Sequence, residues 1–302
     1  MKNISLKSIK KIVSDKIGGL VDNYLANKNL QNYPLLRKTA FSGIYDTLLA
    51  HNIEILDFNS TENYIYLKKD NILFVTTPNY PYIVREIFCN HNYFINPQYL
   101  KHKDYSIFDI GMNRGYATPY FANQTWCKEV YGFEIEKDVF EIAKKNISLN
   151  IDLKDKISIF DFGLGKEDGF FKTYYLPNRD GINTVSKEFL INYAPEESEH
   201  IIEKENIIKK TSAIFKDLVE KNSVNHIILK IDVEGAEYEI FDDLVTDYPQ
   251  FFNNVDLIIG EAHLGLEPIV SKLTPLGFIE ISNKSSNDGK TVDFLFVKKS
   301  LI

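Results

Sequence analysis

From Tyr105 to the C-terminus, short apolar runs alternate with helix-patterned stretches, and this rhythm restricts the fold more than any other feature of the chain. Strands are expected at Ser106–Ile110, Glu129–Phe133, Lys156–Phe160, His226–Ile231, Val255–Glu261, Phe278–Ser282 and Val292–Val297. Helices fit Pro119–Trp126, Lys137–Asn150, Thr211–Glu220, Ala236–Leu244 and Glu267–Thr274. Runs that are apolar throughout belong to strands buried on both faces, the condition of a parallel sheet covered by crossover helices. Only Asn283–Lys290 separates the last two strands, so they are expected to pair as an antiparallel hairpin at one sheet edge. The reading is α/β: a seven-stranded sheet, mostly parallel, with a C-terminal antiparallel hairpin. In such sheets the ligand sits beyond the carboxyl ends of the strands, so the residues just after each strand should carry the chemistry.

The first strand runs into Asp109-Ile110-Gly111-Met112-Asn113-Arg114-Gly115-Tyr116. Gly111 and Gly115 let the backbone approach a ligand closely and turn into a helix. Their spacing is G-x-x-x-G, whereas a pyrophosphate fingerprint needs G-x-G-x-x-G. Asp109 would repel a pyrophosphate and suits a cationic amino-acid head, such as the methionyl ammonium of S-adenosylmethionine. A glycine turn of any αβ unit is the plain alternative. The second strand ends in Gly132-Phe133-Glu134. A carboxylate there can accept both hydroxyls of a ribose, or simply serve the N-terminus of the next helix. The third strand ends in Phe160-Asp161-Phe162-Gly163, where an acid or a carbonyl can take an adenine amino group while Phe162 or Ile135 flanks the ring.

The fourth strand gives the sharpest string, Leu229-Lys230-Ile231-Asp232-Val233-Glu234-Gly235-Ala236-Glu237. A buried strand should end in apolar residues, yet this one ends in a lysine and carboxylates. Alternation puts Lys230 and Asp232 on one face, and Gly235 lets a helix start tightly with Glu237 projecting back. A structural Lys–Asp pair and ordinary helix N-terminal charges are the plain alternatives. The fifth strand ends in Gly260-Glu261-Ala262-His263, with Glu261 and His263 on one face.

Composition removes several classes of function. At 44% hydrophobic and 25% charged, the 302 residues are of ordinary globular make-up. A net charge of −7 offers no basic footprint for nucleic acid. Cys89 and Cys127 are the two cysteines, too few for a disulfide framework or a four-thiolate zinc site. No run of about 20 apolar residues could span a bilayer, and the basic start lacks the apolar stretch of a signal peptide, so a cytoplasmic protein is expected.

The N-terminal third carries no recognisable chemistry. Residues 4–21 read as an amphipathic helix that packs on its own domain or on a sister subunit, with an anionic membrane surface as the alternative. A second helix is expected over Leu35–Leu49, then strands at Glu54–Asp57, Tyr64–Lys68 and Ile72–Thr76, with turns at Asn59–Asn63 and Asp70-Asn71. Residues 1–80 are expected to form an extension that builds a homo-oligomer or shapes a substrate cleft, and 81–302 the main domain. Glu196–Lys210, a charge run interleaved with isoleucines, reads as a solvated helix face or a mobile lid.

The chain resembles the FkbM family of S-adenosylmethionine-dependent methyltransferases. The likeness runs through Phe108–Tyr116 (family pattern D-I-G-A-N-x-G-Y), Phe133-Glu134, Gly163-Leu164-Gly165 with Gly169, and above all Lys230–Glu237, K-I-D-V-E-G-A-E. Met112, Arg114 and Ile135 depart from the usual residues, but every carboxylate and glycine of the pattern is present. The resemblance implies a class I methyltransferase (Rossmann-like) fold and methylation of a hydroxyl, often on sugars or polyketide-type products. The cofactor set it points to is Asp109, Gly111, Asn113, Gly115, Tyr116, Glu134, Ile135, Asp161 and Phe162.

For catalysis the expected residues are His263, oriented by Glu261, with Asp232 and Lys230 as further candidates for the base that takes the hydroxyl proton. No metal is assigned, although Asp232, Glu234, Glu261 and His263 could hold a divalent cation as an alternative. The expected acceptor is a nucleotide-activated sugar or a surface polysaccharide residue, and Arg85, Arg114 and Arg179 are candidates to meet a diphosphate. A non-sugar alcohol, and a non-catalytic binding protein on the same fold, are the competing readings. A nicotinamide oxidoreductase is disfavoured by the glycine spacing.

Overall fold

The computed structural model describes residues 23–176, 184, 187–285 and 291–302. The helix expected over 4–21 and the candidate Arg179 lie outside them. The chain divides into two compact units, Met1–His91 and Asn92–Ile302. None of the described helices is long and apolar enough to cross a membrane.

In the first unit, β1 (Ile53–Asn59), β2 (Tyr64–Lys69) and β3 (Ile72–Thr76) form an antiparallel meander. Asn63 and Asp70, with φ of 59° and 53°, turn the chain between them, as the Asn/Asp clusters indicate. The single helix expected over Leu35–Leu49 is absent. Two 3₁₀ turns, Pro34–Lys38 and Ala40–Gly43, lead instead into α1 (Tyr45–Ala50). Thr39 is the cause: it is extended (φ −110°, ψ 165°), and its hydroxyl donates to the Leu36 carbonyl at 2.7 Å, competing with helix continuation. The apolar spacing still buries Leu36, Phe41, Tyr45 and Leu48. The unit ends in α2 (Tyr82–Phe88), whose Phe88 stacks on Phe74 at 4.9 Å.

The second unit holds the expected seven-stranded sheet. Its central strands are β4 (Tyr105–Ile110), β5 (Cys127–Phe133) and β6 (Ile157–Phe160). A short sheet follows, of β7 (Gly163–Gly165), β8 (Gly169–Tyr175) and β9 (Ile202–Lys210) in the order β7-β9-β8. The chain then returns to the main sheet with β10 (Ile227–Ile231), β11 (Val255–Ala262), β12 (Phe278–Ser285) and β13 (Val292–Lys298). The order is β12-β13-β11-β10-β4-β5-β6, and β13 alone runs against its neighbours. The terminal hairpin therefore forms as expected, with its second strand inserted beside β11 and its first at the edge. Every residue of β4 and β10 is buried, which is why their sequences lack alternation.

Four helices lie within three residues of their expected ends: α4 (Lys137–Ser148), α6 (Thr211–Asn222), α7 (Glu237–Asp247) and α8 (Glu267–Leu273). Between β4 and β5, α3 spans Ala117–Ala122 instead of Pro119–Trp126. Pro119 sits within its first turn, where a missing N–H breaks no helical bond, so it does not mark the start. The stretch read as a helix face or lid is corrected as well. After α5 (Lys187–Tyr193) and a 3₁₀ turn at Pro195–His200, the charge run becomes β9. Lys204, Asn206 and Ile208 turn inward while Glu203, Glu205 and Ile207 face out. An inward lysine hides the alternation; its Nζ is held by Glu136 at 2.5 Å and Asp138 at 3.1 Å.

Four phenylalanines tie α6 to the sheet. Phe215 lies 4.6 Å from Phe108, 5.0 Å from Phe251 and 5.9 Å from Phe133, and is fully buried. Phe215→Ala should lower stability by about 3–5 kcal/mol, read as a fall in the urea midpoint with an unchanged slope.

Candidate active site at the carboxyl ends of the strands

The sheet reverses its strand order between β4 and β10, the crevice position where open α/β sheets hold ligands. The turn leaving β4 is left-handed at Gly111 (φ 71°), Asn113 (φ 52°) and Gly115 (φ 68°). A Cβ on Gly111 would strike the Asp232 carbonyl, and one on Gly115 would press on Ala143 of α4. The turn is bonded onto the tip of β5. Gly111 and Met112 both donate to the Phe133 carbonyl, at 3.1 and 2.9 Å, and the Asn113 N–H donates to Glu134 Oε2 at 2.9 Å. The two unusual residues of the motif point inward. Met112 packs with Phe140 and Ala143, and Arg114 is only 4% exposed, its carbonyl accepting from Asn146. Arg114 is therefore not placed to meet a diphosphate.

Beneath the turn, Lys230 and Asp109 face each other in register across β10 and β4, both buried. Lys230 Nζ lies 3.1 Å from Asp109 Oδ1 and donates to the carbonyls of Gly111 at 2.5 Å and Ile110 at 3.2 Å. Two carbonyls thus accept from the ammonium, and Asp109 Oδ1 stands beside it as its charge partner. The Thr118 hydroxyl donates to Asp109 Oδ2 at 2.7 Å, and the Tyr93 ring caps Nζ at 5.2 Å. This corrects two expectations. Lys230 clamps the turn and is not placed as a base, and Asp109 faces Lys230 and Thr118 in the interior instead of an ammonium ligand.

The remaining acids gather at the tips of β5, β10 and β11. Glu134 accepts from the Glu136 N–H at 2.8 Å as well as from Asn113, and burial pushes its carboxyl up to about 7 against those two bonds. Asp232 keeps 22% side-chain exposure, and Tyr93 donates to its Oδ2 at 2.8 Å. Glu234 adopts φ 54°, a left-handed conformation costly outside glycine, and Gly235 follows at φ 102°. This double turn brings Glu237, the first residue of α7, back under the loop. Its Oε1 accepts from Val233 and Gly235 at 3.2 and 3.3 Å and lies 2.6 Å from His263 Nδ1.

His263 Nε2 lies 3.2 Å from Glu234 Oε2 and 3.9 Å from Asp232 Oδ1. Burial opposes a charge on this ring, but Glu234 and Glu237 outweigh it and raise its pKa to about 12. His263 is thus a cation with a carboxylate at each nitrogen, which removes it as the base. The partner that orients it is Glu237 and not Glu261. Burial and the nearby Asp232 push Glu261 up to about 8, and burial pushes Glu234 up to about 7.

Among the other expected residues, Tyr116 is buried at the N-terminus of α3 and Ile135 is half-buried over Gly163. Asp161 is exposed, whereas Phe162 packs on Phe133 and Phe160 at 5.9 and 5.6 Å. Tyr93, Thr118 and Asp293 belong to the constellation and escape the sequence reading; Asp293 sits opposite Glu261 on β13. Thr118 follows Asp109 within one turn-and-helix unit and was findable. Tyr93 lies 139 positions from Asp232, with no local signal.

The family model of the methyltransferase FkbM domain matches residues 109–274, more than half of the chain. Methyltransferase sdnD of Sordaria araneosa is 25% identical over 215 residues, covering 64% of this chain and 79% of that protein. Methyltransferase 1 of Beauveria bassiana (strain ARSEF 2860) is 26% identical over 184 residues, covering 58% and 71%. The solved methyltransferase FkbM from Methylobacillus flagellatus KT aligns with a TM-score of 0.40 at 10% identity, over 65% of this chain and 44% of that one.

The charge on His263 has a measurable consequence. Its folded pKa is raised above the ordinary value of 6.5, so the stability linked to it is complete below about pH 6.5 and is lost as pH rises toward about 12. Nitrogen NMR should show His263 in its imidazolium form throughout about pH 6 to about pH 9. A midpoint near the ordinary value would contradict the assigned geometry.

Proposed function

The chain belongs to the FkbM methyltransferase family, and on that premise we propose that it moves a methyl group from S-adenosylmethionine to a hydroxyl of a sugar, either nucleotide-activated or within a surface polysaccharide. The observation that carries the reading is the contact between the Gly111 turn and the Asp232 carbonyl, which sets a cofactor-type loop beside an acid held by Tyr93. The residues fit the cofactor. Each oxygen of Glu134 takes one backbone N–H and keeps a second lone pair for a ribose hydroxyl. Gly111 and Gly115 permit close backbone approach, and Asn113, Tyr116, Ile135 and the Asp161-Phe162 loop complete the surround. When bound, the sulfonium supplies an electrophilic methyl carbon. Asp109 acts from below, through Lys230 and the carbonyls of the turn.

A sugar hydroxyl is a weak nucleophile, so its proton must leave as the oxygen attacks. Asp232 Oδ1 is the acceptor in this reading. Tyr93 fixes Oδ2 and thereby the plane of the carboxylate, while the cationic His263 ring balances the negative charge of Asp232 and Glu234. Glu261 and Glu234, both raised toward neutrality, can accept or donate hydrogen bonds to the other hydroxyls of a sugar. Because His263 supplies positive charge where a divalent ion would act, turnover should not depend on added magnesium or manganese. Among the described residues, none of those named for this chemistry falls within 23–80, and the extension is assigned to acceptor choice or homo-oligomer formation. A net charge of −7 supports an acceptor other than nucleic acid.

Incubation with methyl-labelled cofactor and a pool of nucleotide sugars and glycans should place label on a sugar; label confined to protein, nucleic acid or small aromatics would overturn the sugar assignment. Glu134→Ala should weaken S-adenosylhomocysteine binding by about 1.5–3 kcal/mol in calorimetry, the loss of charged hydrogen bonds. Asp232→Asn should lower kcat by about 10²–10⁴-fold with product affinity unchanged, and wild-type turnover by that variant would remove the proton acceptor.

A further inference from the structure

At the opposite end of the sheet, where β4, β10 and β11 begin, two histidines and an aspartate converge. His102 precedes β4, His226 precedes β10, and Asp256 is the second residue of β11. His102 Nε2 and His226 Nδ1 both face Asp256 Oδ2, at 3.6 and 3.7 Å, and the three donor atoms lie within 4.8 Å of one another. Asp256 is 8% exposed, and its Oδ2 is buried without a hydrogen bond.

These separations exceed a hydrogen bond, for which N···O should be about 2.7–3.2 Å. They approach the distance of about 3.3 Å between two ligand atoms on one tetrahedral ion with bonds of about 2.0–2.1 Å. A buried carboxylate oxygen with one nitrogen of each of two imidazoles within 3.7 Å, and a hydrogen bond to neither, is a donor set that an ion can draw together. Two imidazoles and one carboxylate are borderline donors, suited to zinc-class ions over magnesium or calcium. The imidazoles keep 35% and 28% exposure, so water can reach a fourth position. Their rings stack at 3.4 Å and must splay to aim both lone pairs at one point. His102 lies outside any helix or strand and can turn to do so. Lys298 also feels the Asp256 charge, but its Nζ is engaged by the Phe252 and Leu276 carbonyls.

We propose that His102, His226 and Asp256 form a zinc-class metal site that ties together the starts of three central strands, at the end of the sheet away from the methyl-transfer residues. The ion would be structural: it would join β4, β10 and β11 at their starts while the Lys230 clamp acts at their far ends.

The test uses the full chain, stripped by chelator and titrated with zinc chloride in a calorimeter. One equivalent should bind per chain and raise the thermal midpoint, and cobalt in place of zinc should give the visible bands of a four- or five-coordinate ion. His226→Ala should weaken zinc binding by more than about 100-fold, beyond what losing an outer-shell partner costs. His102→Ala, in an exposed segment, should do the same, with retained S-adenosylhomocysteine binding as the check on folding. His263→Gln, at the opposite ends of these strands, should leave zinc binding intact. No saturable zinc binding by the wild type, or undiminished binding by the His102→Ala/His226→Ala double variant, would overturn the proposal. So would loss of the zinc equivalent in His263→Gln.

Discussion

A lysine and an aspartate buried in register across two parallel strands hold the rest of the site in place. Charges are seldom taken into a sheet interior, because desolvation is expensive and removing one partner of such a pair costs about 3–5 kcal/mol. Here Lys230 bonds the carbonyls of the turn as well as Asp109, so the pair fixes loop geometry as much as it joins strands. The turn lies so close to the Asp232 carbonyl that only glycine fits at position 111, and it donates to Glu134. One buried ammonium therefore sets the relative placement of Glu134 and Asp232.

A second balance of charge governs the tips of β10 and β11. Asp232, Glu234, Glu237, Glu261 and Asp293 gather there around one imidazole ring. Burial first, and then the neighbouring like charges, raise the proton affinity of Glu234, Glu261 and Asp293. His263 is held as a cation by the same field that displaces the acids. A histidine in this setting is a fixed counter-charge, and its usual role as a base near neutral pH is lost.

Much of this architecture is legible in the sequence, for identifiable reasons. β4, β10 and β11 read as unbroken apolar runs because both faces are covered. The acids at their tips stand out because nothing apolar excuses them. The roles within the site are less legible. Lys230 and Asp109 look like surface-edge chemistry from the string alone, and only the register shows them facing each other inside the sheet. Glu237 replaces Glu261 beside His263 because Glu234 and Gly235 turn the backbone through two left-handed residues, which spacing does not reveal. β9 is masked by its lysines and glutamates, since the inward Lys204 finds acids on α4 and before it that lie far off in sequence. Thr39 breaks an apolar pattern that otherwise reads as one helix.

The insertion of β13 between β11 and β12 has a bearing on how the chain is made. Synthesis delivers β11 and then β12, yet these two strands are not neighbours, and each depends on β13 for its pairing on that side. Until Val292–Lys298 has left the ribosome, β11 presents an unpaired apolar edge, the kind of surface that recruits other chains. Pairing on that side of the sheet thus waits for a strand made after both of its neighbours, and the edge of β11 needs shielding until β13 arrives.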